Sequence, residues 1–332
     1  MNTRSITRMG ASVLLAAGMF SAATAAQAET LRLGHDQVTK HTYHATTNFF
    51  ADKVNELTDG EITVNVFPSG TLGTETSMLQ EVVDGNLDMS VSTTANASSF
   101  VPAFGILSVS YLFEDADHFR RAVADDTFNS LIDEMIANVD PGFIRVATIT
   151  SGARSMYNSQ GPVTGLDDLK GKKMRVMASP VESQVWGSLG TLPVAIPFGD
   201  VYTGMQTGLI GAAENSPGSY ILNKHNEVAP YFSLTNHQWP ISLIMMNKEK
   251  FEALPQEQQD AILEAGREAS VFGVDNAIES DNALIEEMAD YGVKVNEVET
   301  APLVEAVAPL QDETAKNLGT EDILARIREL KN

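Results

Sequence analysis

Residues 151–180, SGARSMYNSQGPVTGLDDLKGKKMRVMASP, decide how this chain is read. Within them KMRVM, 173–177, is short and apolar and is bounded by Gly171 and Pro180, the pattern of a buried strand. A strand of a parallel sheet is covered on both faces, so an arginine inside it is costly unless it meets an anion. The least costly place for that charge is the carboxyl end of the strand, where open α/β sheets bind ligands. A guanidinium group offers a planar fork of donors that matches a carboxylate through two parallel hydrogen bonds. Arg175 is therefore read as the holder of a carboxylate, with a structural salt bridge to an internal Asp or Glu as the alternative. Arg154, earlier in the same stretch, is a second cationic candidate.

Outward from this stretch the chain alternates strand and helix. Upstream, strands are expected over 31–36 (LRLGHD), 62–67 (ITVNVF), 87–92 and 143–149 (FIRVATI), with helices over 42–57, 75–83 and 117–136. Downstream, helices over 181–188 and 200–206 alternate with strands over 192–196 and 210–214. The segment 233–247, SLTNHQWPISLIMMN, reads as an extended crossover, because Pro240 bars a regular central ladder. Residues 255–291 are continuously compatible with a helix, with Pro255 near its first turn and Gly292 just past its end. Unbroken, that helix would span roughly 55 Å at about 1.5 Å per residue, enough to brace two small domains; Gly266 and Gly273 are candidate bends. The expected fold class is α/β, with two lobes, each a β-sheet flanked by helices, joined by interleaved strands. The division is 29–150 mainly first lobe and 151–240 mainly second, with 241–332 supplying a crossover strand, the bracing helix and C-terminal helices shared between lobes.

Composition narrows the function. Arg4 and Arg8 precede a small, apolar run and an A-x-A site at 26–28, the pattern of a cleaved signal peptide over 1–28. The remaining 304 residues suit two domains and contain no stretch long and apolar enough to span a bilayer. With no cysteine in the chain, disulfides, thiolate metal sites, cysteine nucleophiles and a lipid-modified cysteine are all excluded. A soluble periplasmic protein is expected. Without the signal peptide the chain has 44 acidic and 20 basic residues, a net charge of −24, which repels nucleic acid and anionic lipid. Any anionic ligand must then be captured by local cations.

No common catalytic signature is present: no G-x-S-x-G, H-E-x-x-H, Walker loop or G-x-G-x-x-G. His35, His41 and His44 lie close in sequence, but no partner set with ligand spacing supports a zinc site, so neither metal nor cofactor is expected. Strand ends of facing lobes converge on one cleft. That rule nominates His35 after the first strand, Glu75 after the second, Phe198 after Pro197, and Asn215 before Ser216-Pro217. His237 and Trp239 on the crossover join them.

Taken together, LRLGH (31–35), PSGTLG (68–73), DGNLDMS (84–90), YLFED (111–115), SGAR (151–154), DLKGKKMRV (168–176), IPFGDVYTGMQTGLI (196–210), AEN (213–215) and TNH (235–237) occur in an order that resembles a known family. The chain looks like an extracytoplasmic solute-binding protein of a tripartite ATP-independent periplasmic (TRAP) transporter, the family typified by C4-dicarboxylate-binding proteins. One departure is Gly211-Ala212, where many relatives carry Asp-Gly; it leaves Asn215 in place. The resemblance implies a two-lobed periplasmic binding protein fold with hinge strands, a long helix across both lobes, and a ligand enclosed between them. It implies that Arg175 pairs with the substrate carboxylate, assisted by Arg154 and Asn215. Glu75, His35 and His237 are then candidates for hydroxyl or second-carboxylate recognition, and Phe198 and Trp239 for apolar walls. A carboxylate such as Glu75 accepts from hydroxyls and repels a second carboxylate, which favours a sugar acid or other hydroxy acid over a succinate-like ligand. The expected partners are a small organic acid anion and the membrane subunits of a TRAP transporter, with the protein itself a monomer. The competing readings are an exported hydrolase or lyase acting on a carboxylate, and a ligand-sensing subunit of a receptor.

Overall fold

The structure, a computed structural model, describes residues 29–331; the expected signal peptide lies outside the described residues. Strands β1 (Glu29–Gly34), β2 (Ile62–Phe67), β3 (Met89–Thr93) and β4 (Phe143–Ile149) belong to one sheet. β1 buries Leu31 and Leu33 and exposes Arg32, the alternation of a strand with one face on the core. It pairs in parallel with β2 and β3. Helix Thr42–Leu57 begins where the His41 ring accepts from the Tyr43 N–H, and helix Glu75–Val83 where Thr74 and Ser77 cap each other reciprocally.

The second sheet contains β5 (Arg154–Asn158), β6 (Lys173–Val176), β7 (Leu192–Ala195), β8 (Ala212–Asn215), β9 (Tyr231–Gln238) and β11 (Lys294–Glu297). Its order is β11-β9-β5-β8-β6-β7, so the Arg175 strand lies between parallel neighbours, as a doubly covered strand requires. The remaining strand, β10 (Ser242–Asn247), returns to the first sheet and inserts antiparallel between β3 and β4. The chain thus crosses between sheets after Ile149 and again at Trp239-Pro240-Ile241. The segment read as one crossover is two strands in different sheets, and Pro240 stands where they part.

The sequence reading missed β5 and β11, which are short and polar. The helix expected over 117–136 is two, Ala116–Ala124 and Asp126–Val139. Asp125 ends the first in an extended conformation and caps the second by accepting from the Phe128 N–H at 2.8 Å.

The bracing helix runs unbroken over Gln256–Glu287, continues as a tighter turn to Tyr291, and stops at Gly292, whose φ of +74° suits a glycine C-cap. One end buries Ile262, Ala265 and Ala269 against the first sheet; at the other, Leu284 and Ile285 pack on the core of the second. Its glycines are not bends. A Cβ on Gly266 would lie 2.0 Å from the Val146 carbonyl oxygen, and one on Gly273 would lie 2.7 Å from the Thr46 methyl. The helix therefore touches β4 backbone to backbone, which only glycine permits. Gly266→Ala should push the helix off β4 and cost about 1–3 kcal/mol, read as a lower denaturation midpoint. The fold is the two-lobed α/β fold of periplasmic binding proteins, with one long helix touching both lobes.

Candidate functional site

The ends of strands from both lobes meet at a cleft. From the first lobe come Asp36 beyond β1, the Ser69–Glu75 segment beyond β2, and Thr93 at the end of β3 with Asn96 beyond it. From the second come Arg175, Met177 and Ala178 at the end of β6, Ile196 to Gly199 beyond β7, Arg154 at the start of β5 and Asn215 at the end of β8. They line an outer cavity of about 430 Å³ and a contiguous inner chamber of about 20 Å³; Asp36, Glu75, Asn96 and Phe198 border both. The outer volume falls in the range of small-molecule sites.

The two arginines differ in kind. Arg154 is largely committed to the protein: Nε and Nη2 grip the Glu214 carboxylate, Nη2 also donates to the Glu214 carbonyl at 2.9 Å, and Nη1 donates to Asn215 Oδ1 at 2.8 Å. Of the five guanidinium N–H groups, one on Nη1 is left. Burial would raise the Glu214 pKa, but Arg154 and His237 outweigh it and hold the group at about 2. Arg175 is only 2% exposed and makes one hydrogen bond, from Nε to the Ile196 carbonyl at 3.1 Å. Among the described residues no carboxylate lies within 4.0 Å of it. A guanidinium fork borders the chamber without an internal counter-ion.

The opposite wall is acidic. Glu75 Oε2 accepts from Thr93 N at 3.0 Å, Thr93 Oγ1 at 2.9 Å, Ser92 Oγ at 3.3 Å and Asn96 Nδ2 at 2.6 Å. Asp36, beside it, is pushed up to about 8 by burial and by the Glu75 charge. Hydrogen bonds at the cleft join the lobes, among them Ala178 N to Asn96 Oδ1 at 3.0 Å, Asn223 Nδ2 to Gln37 Oε1 at 3.2 Å, and His41 Nε2 with Ser219 Oγ at 3.0 Å. This is a closed arrangement of the lobes.

Of the residues nominated from sequence, Arg175, Arg154, Asn215, Glu75 and Phe198 come together at the cavity. Three do not. His35 is fully buried with Nε2 3.2 Å from His44 Nδ1, and burial and His44 hold its pKa down at about 3. Side chains alternate along β1, so His35 follows Leu31 and Leu33 into the core and the next residue, Asp36, reaches the cleft. His237 lies behind Glu214, 3.3 Å from its Oε2, and burial lowers its pKa despite that neighbour. Trp239 stacks on Phe119 with ring centroids 5.3 Å apart and borders a separate cavity of about 270 Å³ beside Asp281.

Besides Asp36, sequence reasoning missed Asn96, Tyr43 and Ser219, common polar residues that no motif distinguishes. It also missed Glu182, a buried acid pushed up to about 7 by burial and Glu214. Among the described residues no group of three or more metal-ligating side chains could hold a metal ion, and no helix is long and apolar enough to cross a membrane.

Residues 33–317 match the family model described as bacterial extracellular solute-binding protein, family 7. A solute-binding protein of Sulfitobacter sp. is 34% identical over 95% of both chains. A crystal structure of a TRAP periplasmic solute-binding protein from Sulfitobacter sp., with bound α-D-taluronate, is 31% identical, with a TM-score of 0.86 over 91% of this chain and 98% of that one. Another, from Xanthobacter autotrophicus with bound β-D-galacturonate, is 29% identical, with a TM-score of 0.84 over 90% of this chain and 99% of that one. By sequence and by fold, then, this chain is a binding protein rather than an enzyme, and it belongs to family 7 of the bacterial extracellular solute-binding proteins, the periplasmic solute-binding proteins of TRAP transporters.

Proposed function

We propose that the protein, as a monomer, captures a sugar acid in the interlobe cleft and presents it to the membrane subunits of a TRAP transporter. The observation that carries the reading is the polarity of the cavity. The second lobe offers Arg175 without a counter-ion, and the first offers Glu75 and Asp36. A ligand with a carboxylate at one end and hydroxyls at the other matches both poles; a dicarboxylate places its second charge against Glu75. The two related structures described above, with bound taluronate and galacturonate, hold hexuronates, which have this polarity.

In this reading Arg175 takes the carboxylate in a bidentate pair, the free N–H of Arg154 and the Asn215 amide orient it, Glu75 Oε1 accepts from hydroxyls, and Phe198 covers an apolar ring face. Residues 29–150 and 151–240 act as the two mobile lobes, with 241–332 shared between them. Titration calorimetry with D-galacturonate, D-taluronate and succinate tests the reading. At least one hexuronate should bind and be recovered unchanged, with succinate much weaker. Small-angle scattering should show a smaller radius of gyration with saturating hexuronate, because a ligand enclosed on all sides enters through an open form. Tight succinate binding without hexuronate binding would overturn the sugar-acid reading.

A further inference from the structure

We propose that Asp36 is a specificity-determining residue of the cleft, which meets the ligand as a neutral carboxylic acid and donates a hydrogen bond to a ligand oxygen that has no hydrogen of its own. The cleft then takes up a proton as it closes on its ligand. The inference rests on the sugar-acid reading above and deepens it.

Its basis is the unequal support of two acids on one wall. Asp36 and Glu75 border the same outer cavity and the same inner chamber. Four donors converge on Glu75 Oε2, an arrangement that suits an ionised carboxylate. Asp36 receives one side-chain donor, Gln37 Nε2 to Oδ1 at 3.1 Å. Two carboxylates on one wall of a cavity repel each other, which disfavours both keeping their charge, and the proton settles on the one with fewer donors.

The charged and titratable groups around Asp36 agree. Glu75 raises its pKa, and Arg175 across the cleft opposes this less strongly than burial and Glu75 act, while Arg154, the other guanidinium of the chamber, is paired with Glu214. Tyr43 and His35 are further titratable neighbours; burial raises the pKa of Tyr43 and lowers that of His35, so both stay neutral. The remaining lining segments, Ser69–Thr74 and Ala195–Gly199, carry no ionisable side chain. The result is a pKa of about 8 for Asp36 in the closed cleft. Glu182, the other acid with a raised pKa, is held by Met177 N and Gln238 within the second lobe and does not face the opposite wall.

The chemical consequence is a division of labour. Glu75 accepts and cannot donate; a protonated Asp36 donates. The matching ligand carries hydroxyl donors and also an oxygen that only accepts, such as the ring oxygen of a cyclic uronic acid. The proton comes from solvent and stays on the Asp36 carboxyl group; no other bond changes. With the lobes apart, water reaches Asp36 and its pKa falls toward the ordinary carboxylate range. Affinity should therefore fall as pH rises from that range to about 8, by up to about tenfold per unit, and level off above it.

Calorimetry with D-galacturonate at pH 7, in two buffers of different ionisation enthalpy, counts the protons directly. Wild-type protein should take up about one proton per ligand. Asp36→Asn, whose amide keeps a donor, should bind within about tenfold of wild type and lose most of that uptake. Hexuronate binding by wild-type protein with no proton uptake would sink the inference and leave the sugar-acid reading standing, as would an Asp36→Asn protein with undiminished uptake. Failure to bind any sugar acid strikes the earlier reading instead. Should Asp36→Asn not fold, the buffer dependence of the wild type decides alone.

Discussion

Arg175→Ala should bind hexuronate roughly 30-fold to several-thousand-fold more weakly than wild type, a loss of about 2–5 kcal/mol, with no loss of thermal stability. The size of the effect follows from desolvation. The ligand carboxylate would remain enclosed in the closed cleft without the charge-assisted pair that compensates for its lost water. Stability is spared because Arg175 has no internal carboxylate to abandon; its one hydrogen bond goes to the Ile196 carbonyl. Removing a buried cation with no counter-ion is expected to leave the unfolding midpoint unchanged or to raise it. Arg175→Lys should recover only part of the affinity, since an ammonium is a point donor and cannot reproduce the fork. Calorimetric titration and thermal unfolding of both variants test this. Normal affinity with a lowered midpoint would show that Arg175 is structural and that the carboxylate is held elsewhere.

Arg154→Ala should show the reverse pattern, a loss of about 3–5 kcal/mol in folding stability, because Glu214 would be left buried and unpaired. The Glu214 side chain is 0% exposed and that of Arg154 3%, so solvent does not screen the pair. Replacing both residues with apolar side chains of similar volume should restore much of the stability, because no charge is then left buried without its partner. The pH dependence has a definite sign. Glu214 is held at about 2, below its ordinary value, so its contribution is present at neutral pH and is lost as pH falls from the ordinary carboxylate range toward 2. Arg154→Ala removes the main cause of that depression, so the variant lacks this acid-linked loss and the stability gap between it and wild type should narrow as pH falls toward 2. A stability gap that does not change with pH would contradict this account.

The contrast between the arginines shows where local reading ends. Both residues, and both fates open to a buried arginine, are visible in 151–180. Which arginine has which fate is not. Arg154 finds Glu214 because β5 runs antiparallel to β8, with Met156 opposite Glu214 and Ser155 opposite Asn215. That neighbourhood joins residues 60 positions apart and follows from sheet order, which no local pattern specifies. The same limit explains His35 and Asp36. A strand-end rule places the pair near the cleft; the facing of β1 in its sheet decides which of the two enters it.

By itself the sequence determined the alternation of strands and helices, the buried strand that carries Arg175, the long helix set between Pro255 and Gly292, and the family. These are properties of neighbouring residues: apolar periodicity, capping chemistry, and backbone freedom at proline and glycine. Only the tertiary structure decided which arginine is left without a partner, that Gly266 is a contact and not a bend, and that His237 and Trp239 lie outside the cavity. Each of those is settled by what faces a side chain across the fold. A buried charge costs free energy according to its partner, and a glycine is required according to what its missing Cβ would strike.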